Sequence, residues 1–216
     1  MREGDFELAV IVDDCHETEY RDEETRQAWI AARKGKEFCL LLQNHGSGRA
    51  LAVTTIDGLS IHNGELGSFS SGGYILEASS NALIIPGWRI DDETVAHFAF
   101  GSRAEGYATK IGQPQQNIGV IAAAFFHEKI EPEKQYSLRA VGPGPSLRMM
   151  ESEAPPEPTT DNVAVGFGRQ TKHRIKVCSF KRASQSPEKV IAIRYDTSRS
   201  LAKQGIGCPV PEGWLG

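Results

Sequence analysis

Between Arg49 and Lys129 the apolar residues arrive in short runs, each closed by Gly, Asn or Pro. In order they read RALAVTTIDGL, GGYILEA, NALIIPGWRI, ETVAHFAFGS and NIGVIAAAFFHEK. Runs of this length, rich in β-branched and aromatic residues and bounded by turn formers, are the strands of an antiparallel sandwich or barrel. The expected fold is mainly β: a two-layer antiparallel β-sandwich, jelly-roll-like, with short helices near 104–111 and 200–204. Its core should hold Leu40, Leu42, Leu51, Val53, Ile75, Leu83, Ile85, Phe98, Phe100, Val120, Ala122, Ile191 and Ile193.

Local patterns refine this. FELAVIV (6–12) reads as a strand. EFCLLLQN (37–44) reads as another, with 49–57 as its hairpin partner across NHGSGR. Asp57-Gly58 and Asn63-Gly64 are dipeptides that tolerate positive φ and signal tight turns. In VAHFAF, period-two alternation puts Phe98 and Phe100 on one face. NIGVIAAAFF is apolar on both faces, the mark of a central strand buried between layers. Residues 22–35 conflict with their surroundings. Asp22 as cap, Glu23 and Glu24 in a first turn, Arg33 and Lys34 in a last turn and Gly35 as terminator spell a helix.

The expected organisation is a β core over 1–131, a Pro-rich connection over 132–162 (VGPGPS, EAPPEP) and a basic part over 163–216. The last part carries three more alternating segments, VAVGFG, HRIKVCSFKR and KVIAIRYD, which complete the same domain. With 39% hydrophobic residues the chain has enough apolar material for a real core. No run approaches the roughly 18–20 apolar residues of a membrane span. MREGDFELAV has acids inside its apolar stretch, so no signal peptide is expected, and the protein belongs in a cytoplasm or a virion. Cys15, Cys39, Cys178 and Cys208 stand far apart without metal-ligand spacing and read as reduced structural thiols. Charge is uneven: residues 1–37 hold 11 acids and 6 bases, residues 163–216 hold 3 acids and 10 bases. Such opposition suits internal pairing, or contact between copies.

One frame resembles a family of bacterial and phage-associated proteins: AVTTIDGLSIHNG, GGYIL, IPGWRIDDETVAHFAFG and YATKIGQPQQNIGVIAAAFF, resuming downstream as VGFGRQ, VCSFKRAS and VIAIRYDTSRSLAKQGI. The resemblance implies a β-rich fold and brings no activity, cofactor or catalytic residue. It also implies that 25–34 is a strand paired with 37–44, against the local helix signals. We expect the strand, because tertiary context overrides helix propensity.

Candidate chemistry is sparse. Asp91, Asp92 and Glu93 behind Trp88 and Arg89 would offer carboxylates for acid/base work and an indole platform. The plainer reading is a loop in which Arg89 pairs with an acid and Trp88 plugs the fold. The six histidines show no i,i+2 or i,i+4 pair; His97 and His127 would have to meet across neighbouring strands. Asp13, Asp14, Cys15 and His16 read as a hydrated acidic loop. No nucleophile elbow or phosphate loop is present. Neither a metal nor a cofactor is implied. Lys172, Arg174, Lys176, Lys181 and Arg182 cluster in one short segment. Only Phe180 is interleaved, however, and the chain is acidic overall, which argues against nucleic acid and for an acidic protein surface.

The sequence therefore points to a non-enzymatic structural or assembly protein acting through surface contacts. A phage capsid-decorating protein would be one instance, and the partners would be other proteins or further copies of itself. The contact residues would be Lys172, Arg174, Lys176, Lys181, Arg182, Trp88 and Arg89. Two alternatives stand beside it. One is a carbohydrate- or ligand-binding module using Trp88, Tyr74 and Tyr107. The other is a hydrolase built on Asp91–Glu93.

Overall fold

The computed structural model describes residues 1–91, 93–102, 106, 117–130, 163–173 and 177–207. In chain order the strands are β1 (Arg2–Glu3), β2 (Phe6–Val12), β3 (Cys15–His16), β4 (Glu19–Arg21), β5 (Ala28–Ala31), β6 (Glu37–Asn44), β7 (Ala50–Ile56) and β8 (Leu59–Ser60). There follow β9 (Tyr74–Leu76), β10 (Leu83–Ile85), β11 (Gly87–Arg89), β12 (Thr94–Ser102), β13 (Val120–His127), β14 (Val163–Lys172) and β15 (Lys189–Asp196), then helix α1 (Ser198–Lys203). They form two sheets. An eight-stranded sheet runs β1-β2-β6-β12-β11, with β3 on β2, β10 on β6 and β14 on β12. A seven-stranded sheet runs β4-β5-β15-β13-β7-β8, with β9 also on β7. Strand pairing is antiparallel except between β5 and β15, which run parallel.

The two sheets share one apolar core. Phe6 of the first stacks on Phe125 of the second with ring centroids 4.5 Å apart. Phe100 and Tyr195 meet across the same gap at 5.4 Å. Phe38, Phe98 and Phe100 stack along β6 and β12, as the alternation in VAHFAF predicts. Each such buried ring contributes roughly 1.5–3 kcal/mol. The helix expected near 200–204 is α1, capped by the Thr197 hydroxyl, which accepts from the Ser200 N–H. The helix expected near 104–111, apart from Gly106, and the Pro-rich connection lie outside the described residues.

Several expectations are corrected. Residues 28–31 are extended, but they pair with β4 and β15 and not with 37–44. The helix-cap chemistry at Asp22 is real and serves a turn. Its Oδ1 accepts from the N–H groups of Glu24 and Thr25, while the backbone closes as a hairpin from Gln27 to Asp22. Alternation then settles the strand: Ala28 and Ile30 are buried, whereas Trp29 and Ala31 are half-buried. Likewise β6 and β7 are not a hairpin and belong to different sheets. The chain passes from one sheet to the other after Asn44, whose buried side chain donates to the carbonyls of Gly48 and Glu77 and accepts from the Gly46 N–H.

The core forecast holds for nine of its thirteen residues; Ile75, Leu83, Val120 and Ala122 are half-buried. For β13 the cause is parity, since a strand apolar on both faces does not declare which face is inner. Ile121, Ala123 and Phe125 face the shared core, which turns Val120, Ala122, Ala124 and Phe126 outward. Leu51 and Val53 are buried as expected, but on that outer face too. HRIKVCSFKR is no strand where described: residues 177–180 carry no ladder, and Arg182 makes an isolated bridge to Glu128. Cys15 and Cys178 are exposed free thiols, unlike the half-buried Cys39.

Candidate functional site

The outer face of the seven-stranded sheet carries an apolar groove among the described residues. Cross-strand register builds it: Thr55, Ala122 and Ala192 stand in one row, and Val53, Ala124 and Val190 in the next. The alanines of β13 are small, so a trough runs between their taller neighbours. The loop from Leu66 to Phe69 forms one wall, and the resulting groove encloses about 480 Å³. Leu66, Phe69 and Val190 around it are 56%, 53% and 45% exposed. The wall is tethered. Phe69 packs edge-on against Phe126 at 6.3 Å, and the Arg182 guanidinium donates to the carbonyls of Phe69 and Ser71. That guanidinium also lies 4.4 Å from the centre of the Phe126 ring.

Of the described residues singled out by sequence, Arg182 stands at this surface, whereas Trp88, Arg89 and Lys172 belong to the eight-stranded sheet. Arg182 is therefore a buttress of the groove wall. Lys172 is exposed at the end of β14 opposite Thr94, Lys181 is exposed, and Arg174 and Lys176 lie outside the described residues. Trp88 is 2% exposed and packs edge-on against Phe98, its indole N–H donating to the Gly166 carbonyl at 3.3 Å. It plugs the core and presents no platform. Tyr74 is buried as well, and Tyr107 lies outside the described residues. Arg89 donates to the His173 carbonyl at 2.6 Å and contacts its Nδ1 at 2.9 Å. Burial and this guanidinium both push the His173 imidazole down.

Asp91 and Glu93 are exposed on the β11–β12 turn; Asp92 lies outside the described residues. The Asp91 carboxylate accepts from the Glu93 N–H at 2.8 Å, which holds it below its ordinary range. A group held ionised in open solvent is ill-suited to act as a general acid. His97 and His127 fall in different sheets, so the pairing of the two across strands does not form. Asp13 and Asp14, both at positive φ, make the β2–β3 turn, and Asp13 pairs with Lys36 at 3.0 Å. Among the described residues, no three His, Cys, Asp or Glu side chains gather as a metal site would require.

Two polar clusters were invisible in the linear pattern. In the first, His97 lies between Thr171 Oγ1 (2.9 Å from Nε2) and Glu37 Oε2 (3.3 Å from Nδ1). Glu37 in turn accepts from the Arg169 backbone and pairs with its guanidinium at 3.1 Å. Hydroxyl, imidazole and carboxylate follow in the order a relay would need. Arg169 draws on the same carboxylate, however, and the four side chains clamp β6, β12 and β14 around the bulge at 96–98. The second is Asp57, first residue of a turn in which it and Gly58 both have positive φ. Its carboxylate is buried and accepts from the Gly119 N–H (2.9 Å), the Val165 N–H (2.9 Å) and the Tyr195 hydroxyl (2.5 Å). It thereby ties the loop before β13, β14 and β15 to β7. Burial outweighs these donors and pushes the acid up to about 6. Tyr195, buried beside that charge, is driven well above its usual value.

No family model, curated protein or solved structure matches the chain.

Proposed function

We propose that this chain is a non-enzymatic assembly protein, a two-layer sandwich of jelly-roll type that works by docking the outer face of its seven-stranded sheet onto another protein surface. The observation that carries this is the groove, with Leu66, Phe69 and Val190 each about half exposed around an apolar floor. Contiguous exposed apolar surface on a folded domain marks a contact site. A second copy of the chain is the partner we favour, and a capsid-decorating virion component is the concrete case.

The contact surface here differs from the charged ends that the sequence suggests. Arg33 and Lys36 bind Asp13, Arg33 also reaches Glu17, and Lys189 approaches Glu3 at 3.7 Å. Three of the 11 acids in residues 1–37, Glu3, Asp13 and Glu17, thus meet bases of the same chain, and Lys189 brings one of these from the basic end. Light scattering across protein concentration tests the reading. The wild type should rise above the monomer mass of 23.6 kDa, and Ala122→Arg should return it to the monomer with an unchanged circular-dichroism spectrum. Apolar association should also survive high salt, which screens charge-led contacts. A wild type that remains monomeric, or an Ala122→Arg variant that still associates, rejects the proposal.

A further inference from the structure

The Asp57-Gly58 turn serves the groove and the core at once. On its outer side Gly58 lines the groove, and its carbonyl accepts the N–H of Gly67, in the groove wall, at 2.8 Å. Gly58 is required there: its φ is 80°, and a Cβ would stand 2.8 Å from the Asn117 side-chain nitrogen. The Asp57 N–H donates to the carbonyl of Val120, another lining residue, at 2.9 Å. One end of the groove is thus built on this turn, whose inner side is the buried Asp57 carboxylate.

Gly119 links the two sides. Its φ is 86°, its N–H donates to Asp57 Oδ1, its carbonyl accepts from the Tyr195 N–H at 2.9 Å, and Val120 follows it into the groove. Oδ1 also accepts from the Tyr195 hydroxyl, while Oδ2 accepts from the Val165 N–H. The ionised carboxylate satisfies all three donors. A proton on Oδ2 would face the Val165 N–H, donor against donor. On Oδ1 it finds the Tyr195 oxygen as an acceptor, and Oδ1 becomes a hydroxyl oxygen, a poor acceptor for Gly119. Protonation therefore weakens the bond nearest the groove.

The described residues that line the groove carry no titratable side chain. Around the Asp57 carboxylate, among the described residues, β14 and the loop before β13 bring backbone N–H groups, and β15 brings Tyr195. Asp196, next along β15, spends its carboxylate on the Thr197 N–H at 2.7 Å, and Arg194 on its other side lies over Trp29. Arg182, at the groove wall, is engaged with Phe126 and the carbonyls of Phe69 and Ser71. Burial places the Asp57 titration at about 6, within reach of mildly acid solution.

We propose that the Asp57 carboxyl is a proton switch for the groove: ionised, it fixes Gly119 and Val120 in the docking shape, and protonated, it releases Gly119 and weakens association with a second copy. The proposal rests on the reading of the groove as the contact surface. It is tested on the full chain by light scattering over dilution series at pH 5, 6, 7 and 8 and constant ionic strength. Self-affinity should fall about tenfold from pH 8 to pH 5, the difference between a charge-assisted and a neutral hydrogen bond. The midpoint should lie near 6, with an unchanged circular-dichroism spectrum. Asp57→Asn, which cannot ionise, should associate weakly and equally at every pH. Tyr195→Phe, which deletes a donor to the ionised form, should move the midpoint upward and serves where the asparagine variant does not fold. In the monomeric Ala122→Arg variant the Gly119 amide proton should move upfield on acidification through the same midpoint, which reads the bond without assembly. Strong association that is flat in pH overturns the switch and leaves the groove reading intact. So does an Asp57→Asn chain with the wild-type pH dependence, or a Gly119 amide that stays in place. A wild type that is monomeric at every pH has a different meaning: the assembly reading fails, and the switch has nothing to act on.

Discussion

Asp57 offers the sharpest quantitative test of the fold. Its carboxyl titrates at about 6 in the folded chain against an ordinary 3.8. That gap, about two pH units at about 1.4 kcal/mol each, amounts to about 3 kcal/mol. Because the folded value is the higher, the folded state binds the extra proton. The contribution is fully present below about pH 4 and is lost as pH rises through about 6. The neutral acid is well accommodated: one oxygen carries the proton toward the Tyr195 hydroxyl, which can accept, and the other keeps the Val165 N–H. Asp57→Asn removes the titration and sets an amide nitrogen against one of the N–H donors, a cost of about 1–3 kcal/mol. Urea unfolding of both proteins at pH 4, 5, 6 and 7 gives the comparison. Wild type should be the more stable in acid, and its advantage should shrink by about 3 kcal/mol toward pH 7. Tyr195→Phe, which deletes a donor to the ionised form, should move that loss to higher pH. A stability difference that is flat across the range, or that grows as pH rises, refutes the assignment.

Further outcomes follow from single contacts. Gly87 lies so close to β12 that a Cβ there would sit 2.0 Å from the Ala96 carbonyl oxygen, so Gly87→Ala should lower stability by more than about 3 kcal/mol in urea titration. Arg182→Ala removes the cation over Phe126 and two bonds to the groove wall; a loss of about 1–2 kcal/mol is expected, with faster proteolysis within residues 66–71. Site-resolved thiol labelling should modify Cys15 and Cys178 rapidly in the native protein and Cys39 slowly, since burial raises the Cys39 thiol and shields it.

What the sequence announced and what it withheld divide along physical lines. Period-two runs and Asp-Gly turns are local signals, and the strands and the turn at Asp57-Gly58 were legible for that reason. Pairing partners are not local. Nothing in AWIA states that it lies beside residues 193–196, and nothing in NHGSGR states that the chain changes sheet there. The face of β13 was ambiguous because both its parities are apolar. Asp57 reads as a turn former at any position where Gly58 follows it; that its carboxylate is buried among Gly119, Val165 and Tyr195 depends on strands up to 138 residues away. The groove escaped for the same reason, since its walls come from β7, β13, β15 and the 66–69 loop. The charged segment near 172–182 was conspicuous, and its Arg182 holds a wall in place.

The parallel seam between β5 and β15 has a temporal consequence. Ala28 finds its neighbour Ile193 only after another 165 residues have been made. Until then the β4–β5 hairpin leaves the ribosome with a bare edge, and β13, paired with β7 on one side only, shows its other edge to the crowded cell. A chain stopped before residue 189 would keep most of its strands and still lack the one that closes the middle. Such a protein should complete this sheet late, once residues 189–196 are made, and lean on a chaperone until then.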